Sequence, residues 1–343
     1  MTAPGGQGPV RSERHGEASE ARRGGRARQA LTIAVQVVVI ATVVWFAART
    51  LQGQWAEFRG RALTVRPRWS AVFGSAALVL LTYALLIESW RALVHAWGDR
   101  LGYGDAVRIW TVSNLGRYLP GKVWSIGAMG LLAQRAGVSP VAAAGSALLG
   151  TLVNLVAGFI VLFFAGPSVI STLAPRASPY AALLPFVGGV ALLALPALLP
   201  VVVRAAARVT GRPYVPRRLR ITTLARVAAA NVASWVLYGV AFRLLAGALL
   251  PGLAGKWVEY VAVFAGSYLA GYLALVVPGG IGVRELSMTA ALVSLGAASP
   301  PDAALLAVAS RLWLTVLELI PGLVFLARGA LRPASRSSHD VPA

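Results

Sequence analysis

The sequence predicts an all-α polytopic membrane protein with about six full spans, two broken helical hairpins and an inverted repeat. Three observations carry that prediction. The chain is 57% hydrophobic and 13% charged over 343 residues, with a mean hydropathy of +0.69. Its apolar residues form blocks that approach or exceed the ~18–20 residues needed to cross hydrocarbon, where a barrel would show alternation. Two charged breaks interrupt the blocks 158 residues apart: Arg117-Tyr118-Leu119-Pro120-Gly121-Lys122 and Pro278-Gly279-Gly280-Ile281-Gly282-Val283-Arg284-Glu285.

Residues 1–29 are polar and rich in Gly and Arg, which predicts a disordered basic tail. The apolar run from Ala30 to Ala48 is long for a signal-peptide core and is followed by Arg49, so it reads as an uncleaved first span. Further full spans are expected at roughly 70–94, 141–165, 180–203, 227–250 and 302–327. Between them, 105–135 holds an amphipathic run from Asp105 to Leu119, the Pro-Gly break, then Val123 to Leu132. Residues 258–297 hold an apolar run to Val277, the Pro-Gly-Gly break, then Leu286 to Leu295. Each predicts a broken, re-entrant-like hairpin; if both cross, the spans number about eight. Irregular backbone at that depth must be buried in protein or line a wet cavity. The transmembrane domain thus covers 30–328, with halves at about 30–165 and 180–327, and 329–343 form a second tail.

A net charge of +20 would suit nucleic acid, but the basic residues sit in tails and loops. That is the pattern of positive-inside topology and of contact with anionic headgroups, and nucleic acid is not expected as a partner. Six Arg precede the first span, seven lie in 204–226, and Arg328, Arg332 and Arg336 follow the last span. The 166–179 loop carries one Arg, and 251–257 carries only Lys256. The bias places both termini in the cytoplasm, with the chain in the cell membrane. One loop disagrees: 49–69 carries five Arg and would lie outside.

The two halves compare element by element. Trp90-Arg91 has a counterpart in Phe242-Arg243, Pro120-Gly121 in Pro278-Gly279, and Gly137-Val138-Ser139-Pro140 in Ala297-Ala298-Ser299-Pro300. Each half reads span, span, broken hairpin, span. Three full crossings per half is an odd number, so the second half is expected upside down relative to the first, an arrangement associated with alternating access.

Candidate site residues cluster at the breaks. Arg284 and Glu285 fall in the first turn of a half-helix, where free N–H groups and the positive dipole end favour an anion. Glu285 either caps that turn, orients Arg284 or carries a proton; Arg284 either faces a phosphate or snorkels to the interface. Arg117 and Lys122 flank the other break, with Asn114 one turn before Arg117 on the same face. Cations around a Pro-Gly turn suit a phosphate or carboxylate, although positive-inside topology alone would put them there. Substrate binding is therefore expected at Asn114, Arg117, Pro120, Gly121, Lys122, Pro278, Gly279, Gly280, Gly282, Arg284 and Glu285. Glu88, Arg91, Arg311 and Glu318 fall within or near spans, where a charge costs about 2.5–3.5 kcal/mol on insertion scales. Arg91 lies three residues after Glu88, and Arg311 lies two turns before Glu318. Each pair is a structural ion pair or a coupling device.

Several chemistries are excluded. The chain has no Cys, and its three His are His15, His95 and His339, so no thiolate chemistry, disulfide, metal or other cofactor is expected. There is no Walker loop, no Gly-x-Ser-x-Gly and no Asp-x-Asp. The small residues between Gly145 and Gly150 and between Gly266 and Gly271 are read as packing positions.

Taken together, Asn114-x-x-Arg117-x-x-Pro120-Gly121-Lys122, Gln134-Arg135-x-Gly137-Val138-Ser139 and the Pro278–Glu285 motif resemble the lysylphosphatidylglycerol synthase transmembrane region. This is the flippase-like domain family also called uncharacterised protein family 0104. The resemblance covers most of 30–330. Members with a cytoplasmic synthetase domain make aminoacylated phosphatidylglycerol and move it across the membrane. The chain ends about sixteen residues past its last span, so the resemblance is expected to extend to the flippase part alone. It implies a non-enzymatic translocase of a phospholipid or lipid-linked anionic substrate, with membrane lipids and a separate lipid-modifying enzyme as partners. The alternative is a membrane glycosyl- or acyl-transferase, or its accessory subunit, acting on a lipid carrier. Asp99 and Asp105 are the nearest approach to the paired carboxylates that reading needs.

Overall fold

The computed structural model describes residues 66–118, 124–167, 169–170, 219–274, 280 and 282–331, with 201, 204 and 208 as isolated positions. The expected spans at 30–48 and 180–203 and both tails lie outside the described residues, the last helix excepted. Eight α-helices run through the described residues. They are α1 (Trp69–Ala96), α2 (Tyr103–Asn114), α3 (Trp124–Arg135), α4 (Pro140–Ala165), α5 (Ile221–Leu249), α6 (Trp257–Leu273), α7 (Val283–Ser294) and α8 (Pro300–Leu331). A 3-10 turn, Leu115–Tyr118, follows α2 directly.

Four helices, α1, α4, α5 and α8, are long and apolar enough to cross a membrane. Half or less of each one's apolar window is buried within the described fold. The rest faces outward through side chains such as Phe73, Leu80, Val236, Ile320 and Val324, as a lipid-facing surface requires. α5 starts at Ile221, earlier than the expected 227. Thr223, Leu224 and Val227 are buried while Arg226 is exposed, so its first turn is amphipathic, a pattern that a search for a solid apolar block passes over.

The two hairpins stand where the breaks predict them. α2 and α3 have 12 residues each, α6 has 17 and α7 has 12. A 12-residue helix is about 18 Å long against about 30 Å of hydrocarbon. Among the described residues each half therefore reads long helix, broken hairpin, long helix. The first legs cross over: α6 packs on α4, and α2 packs on α8. The second legs stay at home, α3 on α4 and α7 on α8.

α1 and α5 form the most extensive helix pair and run antiparallel. The Arg68 N–H donates to the Ala248 carbonyl at 3.0 Å, and Ser75 Oγ donates to the Ala241 carbonyl at 2.8 Å. At the other end Leu93 and Trp97 share a core cluster with Leu224 and Val227. Small residues set the close approaches, because apolar burial does little to drive helices together in lipid. The Trp97 ring lies on Gly145 of α4, and Trp235 of α5 lies on Gly158 of α4; a Cβ at either glycine would strike the ring.

Between α5 and α6 the core is an aromatic ladder. Trp235, Tyr238 and Phe242 recur at helical spacing on one face of α5, opposite Tyr260, Phe264 and Tyr268 on α6. Tyr238 stacks on Phe264 at 5.3 Å, and Trp235 meets Tyr268 edge-on at 5.4 Å. Tyr83 of α1 joins the ladder through Tyr238 and touches Trp110 of α2 at 5.4 Å. The ladder is a stiff wall, and the interior cavity opens along it.

Candidate functional site

All eight helices contribute side chains to one cavity of about 300 Å3. The first break enters it through Arg117, which sits in the 3-10 turn after α2. Arg117 forms an ion pair with Glu318 of α8 at 2.6 Å and donates from Nη2 to Asn114 Oδ1 at 3.1 Å. The turn is pressed against its surroundings: a Cβ on Gly116 would lie 2.9 Å from the Ser125 nitrogen, and one on Gly322 would lie 2.8 Å from Leu115. Pro321, inside α8, leaves the Leu317 carbonyl without its helical N–H partner one turn from this contact.

The second break enters through Gly280 and α7. Gly280 has φ +64°, and a Cβ there would overlap the backbone of Gly271 on α6. Gly282, at φ +83°, caps α7. Only glycine meets both the positive φ and the close approach at position 280 without strain. Glu285 then uses both its oxygens. Oε2 accepts the Gly282 N–H at 2.6 Å, closing the first turn, and Oε1 pairs with Arg311 Nη1 of α8 at 2.8 Å. Arg311 and Glu318 lie two turns apart on α8, and the sequence suggested that they pair with each other. Their ion pairs run to different hairpins instead, because the two breaks bring Glu285 and Arg117 to that face. Both hairpins are thereby tied to one helix.

Arg284 has a different environment. It is 8% exposed and lines the cavity, with its guanidinium 4.9 Å from the Tyr268 ring centre and 5.2 Å from that of Phe264. Its Nε and Nη2 have no hydrogen-bond partner, and among the described residues it has no ion pair. Cation–π contact contributes about 0.5–2 kcal/mol per ring. An uncompensated buried charge costs several kcal/mol. Two rings do not reliably offset that, so the guanidinium is short of an anion.

Other donors share the cavity. Asn114 Nδ2, Ser89 Oγ and Ser146 Oγ are buried without partners among the described residues and belong to residues that line it. The chain has three Asn, and all of them line this space. Asn154 donates to Asn231 Oδ1 at 2.9 Å across α4 and α5, and the Trp235 indole donates to the Asn154 carbonyl at 2.9 Å. Asn154, Asn231, Thr151 and the aromatic lining escaped sequence reasoning. The signal for the two asparagines was available, since an amide within an apolar span needs a partner.

Of the residues expected to bind substrate or couple charge, Asn114, Arg117, Gly280, Arg284, Arg311 and Glu318 meet at the cavity. Glu285 stands behind Arg311, and Gly282 shapes the start of α7. Glu88 and Arg91 do not join them. They pair with each other through two contacts, at 2.7 and 2.9 Å, with Glu88 about half exposed and neither lining the cavity. Pro120, Gly121, Lys122, Pro278 and Gly279 lie outside the described residues. Asp99 and Asp105 have local roles: Asp99 accepts the Ser139 N–H at 2.9 Å, and Asp105 lies 3.7 Å from Arg108.

No curated protein matches the chain. The model of one family, described as the lysylphosphatidylglycerol synthase TM region, matches residues 33–322, a stretch that takes in both breaks, the cavity and most of α8. With apolar spans in place and that match covering most of its length, the chain is a multi-pass membrane protein that belongs to the lysylphosphatidylglycerol synthase TM region family.

Proposed function

We propose that this protein moves a phospholipid or lipid-linked anionic substrate between membrane leaflets. The observation that carries the reading is Arg284, a buried guanidinium facing a cavity without a counter-ion among the described residues. A phosphate headgroup would supply the missing anion, and Asn114 Nδ2, Ser89 and Ser146 would supply further contacts. Arg117 and Arg311 are already occupied by carboxylates, so they would engage the substrate only by exchange with Glu318 and Glu285. Acyl chains would stay in the bilayer while the headgroup passes through.

The movement fits an inverted repeat. Antiparallel α1 and α5, and hairpins whose first legs pack on the opposite half's last helix, support that relation. Rocking of one half against the other would break the Arg117–Glu318 and Glu285–Arg311 pairs and present the cavity to each leaflet in turn. Glu285 and Glu318 are the candidate proton carriers. Both termini would lie in the cytoplasm of a cell-membrane protein, and an enzyme that modifies the same lipid would be the natural partner.

The test is translocation in proteoliposomes with fluorescent phosphatidylglycerol and a fluorescent polyprenyl phosphate, read by bleaching the outer leaflet. Folded wild type should carry at least one probe faster than protein-free vesicles. Rates no faster than those of protein-free vesicles with both probes would contradict translocation of either lipid class.

A further inference from the structure

The two halves hold one arginine each at the same place, in different electrostatic states. Arg91, near the end of α1, lies 6.0 Å from the ring of Tyr103, the first residue of α2. Arg243, near the end of α5, lies 5.5 Å from the ring of Trp257, the first residue of α6, and 4.8 Å from Tyr260. Since α1 and α5 are antiparallel, the two arginines stand at opposite ends of the helix pair. Arg91 is neutralised by Glu88, three residues earlier. The residue three before Arg243 is Val240, and Arg243 forms no ion pair among the described residues; its Nε is buried without a hydrogen-bond partner.

A second guanidinium joins Arg243. Arg68 precedes α1 and donates from Nη2 to the Gly247 carbonyl at 2.8 Å. A methyl group placed on Gly247 would lie 2.9 Å from Arg243 Nη1 and 3.7 Å from Arg68 Nη2, so the two cations converge over this glycine. Glu259, the nearest carboxylate in sequence to these rings, is engaged at 2.7 Å by the Lys256 N–H. Around the pair, Trp69, Phe73 and Trp257 are all more than half exposed. Two guanidiniums without an acid among the described residues, rimmed by outward aromatic side chains at a helix end, match the level of headgroups and upper acyl chains.

We infer that Arg68 and Arg243 form a binding site for the phosphate of an anionic phospholipid, at the membrane face where α1 begins and α5 ends. It is separate from the central cavity and does not depend on translocation. At the opposite end of the helix pair the corresponding arginine, Arg91, is occupied by Glu88. The site also gives Arg68, one of the five arginines in the 49–69 segment that runs against positive-inside topology, a headgroup to bind on the outer side.

The test uses the full chain in vesicles containing phosphatidylglycerol with a photoreactive group at the headgroup end. The matched probe is phosphatidylcholine, and adducts are mapped by peptide mass spectrometry. Phosphatidylglycerol should label residues 66–73 and 257–260, and phosphatidylcholine should not. Arg243→Gln and Arg68→Gln should each lower that labelling about tenfold, the loss of one charge-assisted contact. Arg91→Gln and Arg284→Gln should leave it unchanged. If Arg243→Gln does not fold, Arg68→Gln decides alone. Equal labelling by the two lipids, unchanged labelling in the arginine variants, or its displacement by millimolar inorganic phosphate would overturn the assignment.

Discussion

At the scale of single residues, the cavity sorts its charges into paired and unpaired. Arg117 and Arg311 have carboxylates, and Arg284 has aromatic faces. Removing one member of a largely buried pair leaves the other uncompensated, at a cost of about 3–5 kcal/mol. Glu285→Gln should therefore lower the thermal midpoint clearly, and the double variant Glu285→Gln/Arg311→Met should recover part of the loss. A midpoint equally low in single and double variants would show that the Arg311 pair contributes nothing. Asn231→Leu should cost less, about 0.6 kcal/mol, as membrane hydrogen bonds average. Chemical denaturation in mixed micelles would measure it. The charged members of this site were legible in the sequence because ionisable residues next to helix breakers stand out in apolar surroundings. Their pairing was not legible. Arg311 and Glu318 sit at helical spacing on one element, and only the fold of the two hairpins delivers Glu285 and Arg117 as their partners.

At the scale of elements, the breaks matter through backbone geometry. Gly280 combines a positive φ with contact against the Gly271 backbone, so Gly280→Ala must strain the turn and push it from α6. Gly127 lies inside α3 with nothing near its missing Cβ. Gly127→Ala should stabilise by about 0.5–1 kcal/mol, the helical advantage of alanine, and Gly280→Ala should destabilise by more than that. Unfolding midpoints of the two variants check the contrast, and a neutral Gly280→Ala would refute the close-packed turn. The same contrast explains what the sequence revealed at this level. Long helices and broken hairpins announce themselves through apolar length and Pro-Gly interruption. The early start of α5 at Ile221 does not, because an amphipathic first turn carrying Arg226 looks like loop to a measure of mean hydropathy.

At the scale of the whole molecule, the proposal is two halves of opposite orientation that share a donor-rich cavity and differ in charge at their outer ends. The chain has no cysteine, so single reporters can be introduced without background. Ser12→Cys and Ser337→Cys should react with a membrane-impermeant maleimide only after the cells are opened, and Ala254→Cys should react in intact cells. Labelling of either tail in intact cells would contradict the proposed topology. The all-α membrane class was readable because span length is a property of the chain alone. The asparagine and aromatic lining was harder to read, since the cavity forms only where all eight described helices meet. The central claim is that Arg284 receives the headgroup of a moving lipid. The most direct measurement is the translocation rate of fluorescent phosphatidylglycerol or polyprenyl phosphate, whichever the wild type carries, in proteoliposomes. Arg284→Gln would be compared with wild type and with the surface variant Arg108→Gln. The account predicts a wild-type rate for Arg108→Gln and at least a tenfold loss for folded Arg284→Gln, about 1.4 kcal/mol or more of lost headgroup interaction. A folded Arg284→Gln protein that moves lipid at the wild-type rate would contradict it.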